Sequence, residues 1–191
     1  MDKFTKVKKE EGKEVKKKDD SVIFEKDYLK VIDKDGWLYI EESDSVCVVP
    51  ILIEENKVLL RMEVIPPFHS VDGREHHLTC ISGTIEEGEK PEECLVRELE
   101  EEAGIVLRDG VVVEIFDVVY KSKTGASRFH LCILPLSVYQ YDETIAKGDG
   151  SKLEALSKTV GVSVKNINNL APSDTVTKLL IEEAKKYLNL S

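Results

Sequence analysis

Three glutamates, Glu98, Glu101 and Glu102, stand three and four residues apart, with Arg97 beside the first of them and Glu89 a little upstream. On an α-helix that spacing places all three carboxylates on one face, where like charges repel by ~0.2–0.5 kcal/mol per pair. A divalent cation relieves the repulsion. Hard carboxylate oxygens, with no histidine or thiolate among them, suit magnesium, with manganese the alternative, and phosphate oxygens can complete the ligand shell. The competing reading is a solvated acidic helix face, which is what a charge run usually is. The order of the surrounding residues decides between the two.

These residues lie in the stretch from Gly83 to Ile105, GTIEEGEKPEECLVRELEEEAGI, where nine of 23 residues are glutamate and Lys90 and Arg97 are the only bases. Pro91 suits the first turn of a helix, whose N–H groups have no partner in any case, and Glu92 and Glu93 complement the positive end of the helix dipole. Gly104 fits the left-handed position that ends a helix. Leu95 and Leu99, with Cys94 and Val96 nearby, give an apolar stripe that can dock on a core.

From Gly83 there are five residues to Glu89, then seven to Arg97-Glu98-Leu99-Glu100-Glu101-Glu102-Ala103-Gly104-Ile105. This resembles the Nudix box at every fixed position. The resemblance implies an α/β fold, the Nudix α/β/α sandwich with a mixed sheet, in which a loop–helix–loop holds divalent cations and water attacks one phosphorus of a pyrophosphate. It implies Glu98, Glu101 and Glu102 as metal ligands, joined by the backbone carbonyl of Ser82. Arg97 matches the arginine that orients the glutamates, and Glu89 the acid that helps hold the box together.

Beyond the box the chain is most similar to the subfamily that cleaves ADP-ribose and related ADP-sugars, over roughly residues 25–190. There a strand "vvpil", a turn and a strand "vlLvrqyRpp" precede the box; here Val46–Ile53 and Val58-Leu59-Leu60-Arg61-Met62-Glu63-Val64-Ile65-Pro66-Pro67 stand in their place. The subfamily's Gln and second Arg are Glu63 and Ile65, and of its "PAG" only Gly83 is kept. After the box Gly125, Ser127, His130 and Leu131 fit its loop and strand, while the proline associated with ADP-ribose preference is Tyr120, an aromatic associated with dinucleoside polyphosphates. The implied reaction is metal-dependent hydrolysis of a nucleoside diphosphate linked to another moiety, ADP-ribose or an ADP-sugar first, giving AMP and a sugar phosphate. The alternatives are a dinucleoside polyphosphate hydrolase and a nucleotide-sensing module that does not cleave. The subfamily's general base is a glutamate on a loop in the region of Tyr141–Lys158. Glu154 is the first candidate, then Glu143 and Asp149.

Composition bounds the rest. With 191 residues and 41% apolar composition a real core is expected. A formal charge of −10 disfavours nucleic-acid binding, because an acidic surface repels phosphate. No apolar run approaches the ~18 residues that span a bilayer, and no signal-peptide core opens the chain, so a cytoplasmic location is expected. Cys47, Cys80, Cys94 and Cys132 have no CxxC pairing and read as reduced, mostly buried thiols. Adjacent His76 and His77 lack a third soft ligand, which argues against zinc.

Residues 1–20 carry eight lysines and six acids with almost nothing apolar, the composition of a flexible solubilising tail. Residues 21–45 read as a β extension: Tyr28–Ile32 and Trp37–Ile40 flank Asp33-Lys34-Asp35-Gly36, a hairpin signal. In the ADP-sugar subfamily such a sheet packs on the partner subunit, which implies a homodimer. Trp37 and Tyr39 are then interface or base-stacking residues, unless they close the small sheet itself. Residues 46–191 form the main domain. Within it Phe68–His77 reads as a loop, Leu78–Ile81 as the strand entering the box, Val111–Tyr120 and Phe129–Val138 as strands, and Lys147-Gly148-Asp149-Gly150 as a weak phosphate-loop candidate. Ser163-Val164 opens a last strand or turn. Asp174–Leu190 forms an amphipathic helix capped by Ser173 or Asp174, with Val176, Leu179, Leu180, Ala184, Tyr187 and Leu188 inward.

Overall fold

The structure, a computed structural model, describes residues 21–26, 29–148 and 156–190. The charged tail, Tyr28, Asp149, Gly150 and Glu154 lie outside the described residues.

Three antiparallel strands come first: β1 (Ser21–Lys26), β2 (Leu29–Lys34) and β3 (Trp37–Glu42). The hairpin lies where Asp35-Gly36 predicts it. Both residues take positive φ, 54° and 87°, the requirement of the tight turn whose twist matches the strands. The Asp33 carboxylate accepts the Gly36 N–H at 2.7 Å. Trp37 is 63% exposed, so it does not close a core within this sheet. The sheet is stitched to the rest of the chain through Ile40, whose N–H donates to the Thr124 carbonyl and whose carbonyl accepts from Ala126.

The main sheet runs in the order β12-β5-β4-β10-β9, with β6 added to β5 and β7 to β4. Its strands are β4 (Ser45–Leu52), β5 (Lys57–Glu63), β6 (His77–Thr79), β7 (Ile81–Thr84), β9 (Asp117–Tyr120), β10 (Arg128–Leu136) and β12 (Lys158–Ser163). β10 lies parallel to β4 and the other pairs are antiparallel, so the sheet is mixed. A separate pair joins β8 (Ile105–Leu107) to β11 (Tyr141–Glu143). Every residue of β4 is buried. Val46 and Val48 face one layer with Leu95 and Leu99 of α2 (Pro91–Ala103). Cys47, Val49 and Ile51 face the other, with Leu180, Ile181 and Ala184 of α3 (Thr175–Tyr187). A continuous apolar run is what a strand buried on both faces requires. The result is the expected α/β/α sandwich with a mixed sheet.

Several elements differ from expectation. Phe68–His77 is not all loop: α1 (Pro66–Asp72) begins on two prolines, whose fixed φ starts a helix, and ends at Gly73 in the left-handed region. The strand expected over Leu78–Ile81 is two, β6 and β7, which leave Cys80 between them and pair with different neighbours. Val111–Phe116 alternates inward and outward as a strand does, but Val111, Val113 and Ile115 pack on the α2 side without a ladder, and only Asp117–Tyr120 joins the sheet. Of the strand or turn expected from Ser163-Val164 the turn is present: the last strand ends at Ser163 and a 3-10 helix runs Val164–Asn169. Asp174 caps α3, accepting the Thr177 N–H at 2.8 Å. On that helix Ile181 and Thr177 are buried, while Leu179 and Tyr187 are partly exposed. All four cysteines are free and buried, and no helix among the described residues is long and apolar enough to cross a membrane.

Candidate functional site

The glutamate stretch folds as a strand, a turn and a helix, and each piece seats a side chain. α2 starts at Pro91, where the Glu93 carboxylate accepts the Lys90 N–H at 3.1 Å, and stops at Gly104 with φ 66°. Cys94, Leu95 and Leu99 lock one face onto the sheet, each leucine contributing ~1.5–3 kcal/mol by burial. Val96 is 41% exposed and lies outside that stripe. With the helix rotation set, Arg97, Glu98, Glu101 and Glu102 point back over β7.

β7 brings Gly83 beneath Glu98. A Cβ on Gly83 would lie 1.9 Å from the Glu98 carboxyl carbon and Oε1, so the glycine is needed for close approach. Glu98 is only 8% exposed for that reason. Arg97 ties the piece together. Its Nε and Nη2 grip Glu89 at 3.0 and 3.2 Å, its Nη1 donates to Glu98 at 2.6 Å and to Glu101 at 3.0 Å, and Nη2 also reaches the Thr84 carbonyl at 3.2 Å. Glu89 in turn accepts the Glu86 N–H at 2.9 Å, closing the turn before the helix. The Arg97 guanidinium holds the Glu89 carboxyl below its ordinary range, chiefly by hydrogen bonding.

Ser82, Gly83, Thr84, Glu86, Arg97, Glu98, Glu101 and Glu102 line one cleft of about 420 Å³. Burial pushes the Glu98 carboxyl up to about 6 against the pull of Arg97, and Glu101 and Glu89 add to the rise. Burial pushes Glu102 further, to about 8, against the pull of Arg61, with Glu98 and Glu63 adding to the rise and the Ser82 amide opposing it. Among the described residues the buried Glu102 Oε2 has no hydrogen-bond partner. Crowded, partly desolvated carboxylates with an orphaned oxygen are what a hard dication would satisfy. No three such side chains among the described residues already converge as a closed ligand set, and one oxygen each of Glu98 and Glu101 is held by Arg97. The donor set nonetheless fits magnesium or manganese in kind.

The model of the NUDIX domain family matches residues 42–170, which is more than half of the chain. The chain belongs to the Nudix hydrolase family. Its Nudix box is the strand–turn–helix just described. Among curated proteins an NAD-capped RNA hydrolase, NudC, of Photobacterium profundum is 27% identical over 139 residues, covering 73% of this chain. The chain spans 45% of the length of that relative. Among solved structures an ADP compounds hydrolase superposes with a TM-score of 0.64 over 90% of this chain and 92% of that one, at 16% identity, a likeness of fold.

The Nudix cleft gathers Ser82, Arg97, Glu98, Glu101 and Glu102. It does not include Glu143, which lines a separate groove with Glu55, Lys57 and Thr159. Tyr120 is 76% exposed at the end of β9 and is not among the cleft residues. The Gly148 N–H donates to the Glu101 carbonyl at 2.9 Å, so it caps α2 rather than cradling phosphate. Two residues near the cleft carry no signal in the chain's local pattern: Arg61, beside Glu102, and Thr159, which donates to the Glu102 carbonyl, while Glu63, which stands at the subfamily's Gln position, accepts from Thr79. Arg61 and Thr159 are brought into place by the fold and not by their sequence neighbours. An adjoining cavity of about 350 Å³ shares Ser82 with the cleft and is walled by Phe68, Phe129 and Val176, with Glu63 at its edge.

Proposed function

We propose that the chain is a metal-dependent pyrophosphohydrolase that cleaves a nucleoside diphosphate linked to another moiety, ADP-ribose or an ADP-sugar, to AMP and a sugar phosphate. The observation that carries this reading is the cluster of Glu98, Glu101 and Glu102 around one cleft with a buried, unpartnered Glu102 oxygen. Those three carboxylates and the Ser82 carbonyl are the residues that would hold magnesium. When bound, such an ion neutralises the pyrophosphate and lowers the pKa of an attacking water. Arg97 keeps Glu98 and Glu101 in place through its fork and, with Glu89, prevents the carboxylates from splaying apart. The adjoining apolar cavity between Phe68 and Phe129 suits the nucleoside end of such a substrate. Glu154 remains the proposed general base.

The names of both relatives, an ADP compounds hydrolase and an NAD-capped RNA hydrolase, fit a nucleoside diphosphate within a larger molecule. The net charge of −10 favours a small substrate over a capped RNA. We take residues 21–45 as a dimerising extension and residues 46–191 as the catalytic domain, in a cytoplasmic homodimer. Val22, Ile23, Phe24, Trp37 and Leu38 leave an apolar surface on the small sheet that a second copy would cover. The test is product analysis with magnesium on ADP-ribose, ADP-glucose, diadenosine tetraphosphate and NADH in parallel. AMP and ribose phosphate from ADP-ribose support the reading. Turnover of the tetraphosphate alone moves the substrate class, and nucleotide binding without turnover makes the protein a sensor.

A further inference from the structure

Arg61 sits on β5, an inner strand beside the edge strand β12, and is 4% exposed. A guanidinium taken out of water costs several kcal/mol unless its donors are met. Its Nη1 donates to the Glu102 backbone carbonyl at 3.3 Å, and its Nε lies 3.5 Å from the Glu102 carboxylate Oε1. The same Nη1 reaches Thr159 Oγ1 at 3.5 Å. Thr159 is the residue directly across from Arg61 in the β5–β12 ladder, and its hydroxyl donates to that same Glu102 carbonyl at 2.6 Å. Two strands therefore hold one helical residue by its main-chain carbonyl, and the guanidinium stands at ion-pair distance from one of its side-chain oxygens. The other oxygen, Oε2, is buried and has no hydrogen-bond partner among the described residues, in a residue that lines the acidic cleft.

We propose that Arg61 and Thr159 are positioning residues that fix Glu102 so that Oε2 is the oxygen presented to a bound dication. The arrangement divides the carboxylate: Oε1 faces the guanidinium and Oε2 remains for the ion. The paired contacts to the carbonyl stop the last turn of α2 from rotating, which a single contact to the side chain would not do. This inference rests on the proposed role of Glu102 as a metal ligand.

The two simplest accounts of Arg61 differ in sign. As a nearby positive charge alone it would compete with the ion, and removing it would tighten metal binding. As a positioning group it would strengthen binding, and partners that orient metal ligands are typically worth 10- to 100-fold in affinity. Manganese titration by calorimetry, on substrate-free protein, distinguishes them. Arg61→Met should weaken manganese binding about 10-fold or more. Arg61→Lys keeps the charge but loses the planar fork, and should also bind more weakly than the native protein. Thr159→Val should lower affinity while Thr159→Ser retains it. Metal-free melting curves identify variants that have lost the fold, and the Thr159 pair decides the matter if Arg61→Met does not fold. Unchanged or tighter binding in folded Arg61→Met, or native affinity in both Arg61→Lys and Thr159→Val, overturns the proposal. Failure of the underlying reading looks different: Glu102→Gln would then bind manganese as the native protein does.

Discussion

Gly83→Ala is a small change with a large geometric consequence. The added Cβ would stand 1.9 Å from Cδ and Oε1 of Glu98 and 2.3 Å from its Cγ. Non-bonded carbon atoms rest at about 3.5–4.0 Å, so the Glu98 carboxylate must withdraw by roughly 1.5–2 Å. The obstacle is the end of a flexible side chain, and Gly83 does not use a positive φ, so the strand itself tolerates alanine. Stability should change little, because alanine in a strand regains about 0.5–1 kcal/mol over glycine. The withdrawal, however, breaks the 2.6 Å contact with Arg97 and moves a proposed metal ligand out of its seat. A misplacement of about 1 Å can cost ~100-fold in rate, or about 2.7 kcal/mol of transition-state stabilisation. The assay is kcat/KM for ADP-ribose with magnesium, beside a melting curve of the same preparation. A folded Gly83→Ala protein within about threefold of native kcat/KM, a difference under ~1 kcal/mol, would refute the claim that Glu98 must occupy this position.

Arg97→Lys keeps a charge but loses the fork that grips Glu89, Glu98 and Glu101, and should lower kcat/KM by about 10- to 100-fold. Stability of the metal-free protein should fall as pH rises. Glu98 and Glu102 are held at about 6 and about 8, above the ordinary 4.5, mainly by burial. The folded chain thus keeps protons that the unfolded chain has released, and the stability this gives is lost as pH climbs through 6 and then 8. A melting series without metal from about pH 5 to about pH 9 should show a declining Tm, flatter in its upper half for Glu102→Gln, and a Tm rising across that range would contradict the assignment. Asp174→Ala removes the cap of α3 and should cost about 1–2 kcal/mol, read from a denaturant melt beside the native protein. Trp37→Glu on the exposed face of the small sheet should convert a dimer to a monomer by light scattering. A native protein that is already monomeric would remove the case for that interface.

What could be read from the sequence was what is local. The helix from Pro91 to Gly104, its caps, its apolar stripe and the Glu98–Glu101–Glu102 face all follow from neighbours within one or two turns. Asp35-Gly36 likewise fixes its hairpin without help from the rest of the chain. The part that escaped is held by contacts of long sequence separation. Arg61 follows the apolar run Val58–Leu60, and only the fold brings it to Glu102, 41 residues away, and to Thr159, 98 residues away. Val111–Phe116 shows the converse error: the period of two was real, but it came from side chains packing on the α2 side while the backbone forms no ladder, although the Phe116 N–H donates to the Leu131 carbonyl of β10 at 2.9 Å. The helix α1, in a stretch that reads as a loop, was missed because Pro66-Pro67 ends a strand and starts a helix equally well. Glu143 met the chemical requirement for a base, yet its place on β11 turns it to a different groove.

The most direct test of the central claim compares native protein with Glu98→Gln, Glu101→Gln and Glu102→Gln on ADP-ribose, each with magnesium and with chelator. The native protein should give AMP and ribose phosphate with magnesium only, and the variants should lose both products while their melting curves stay cooperative. Equal product from a folded Glu102→Gln protein, or undiminished turnover with chelator present, would contradict it.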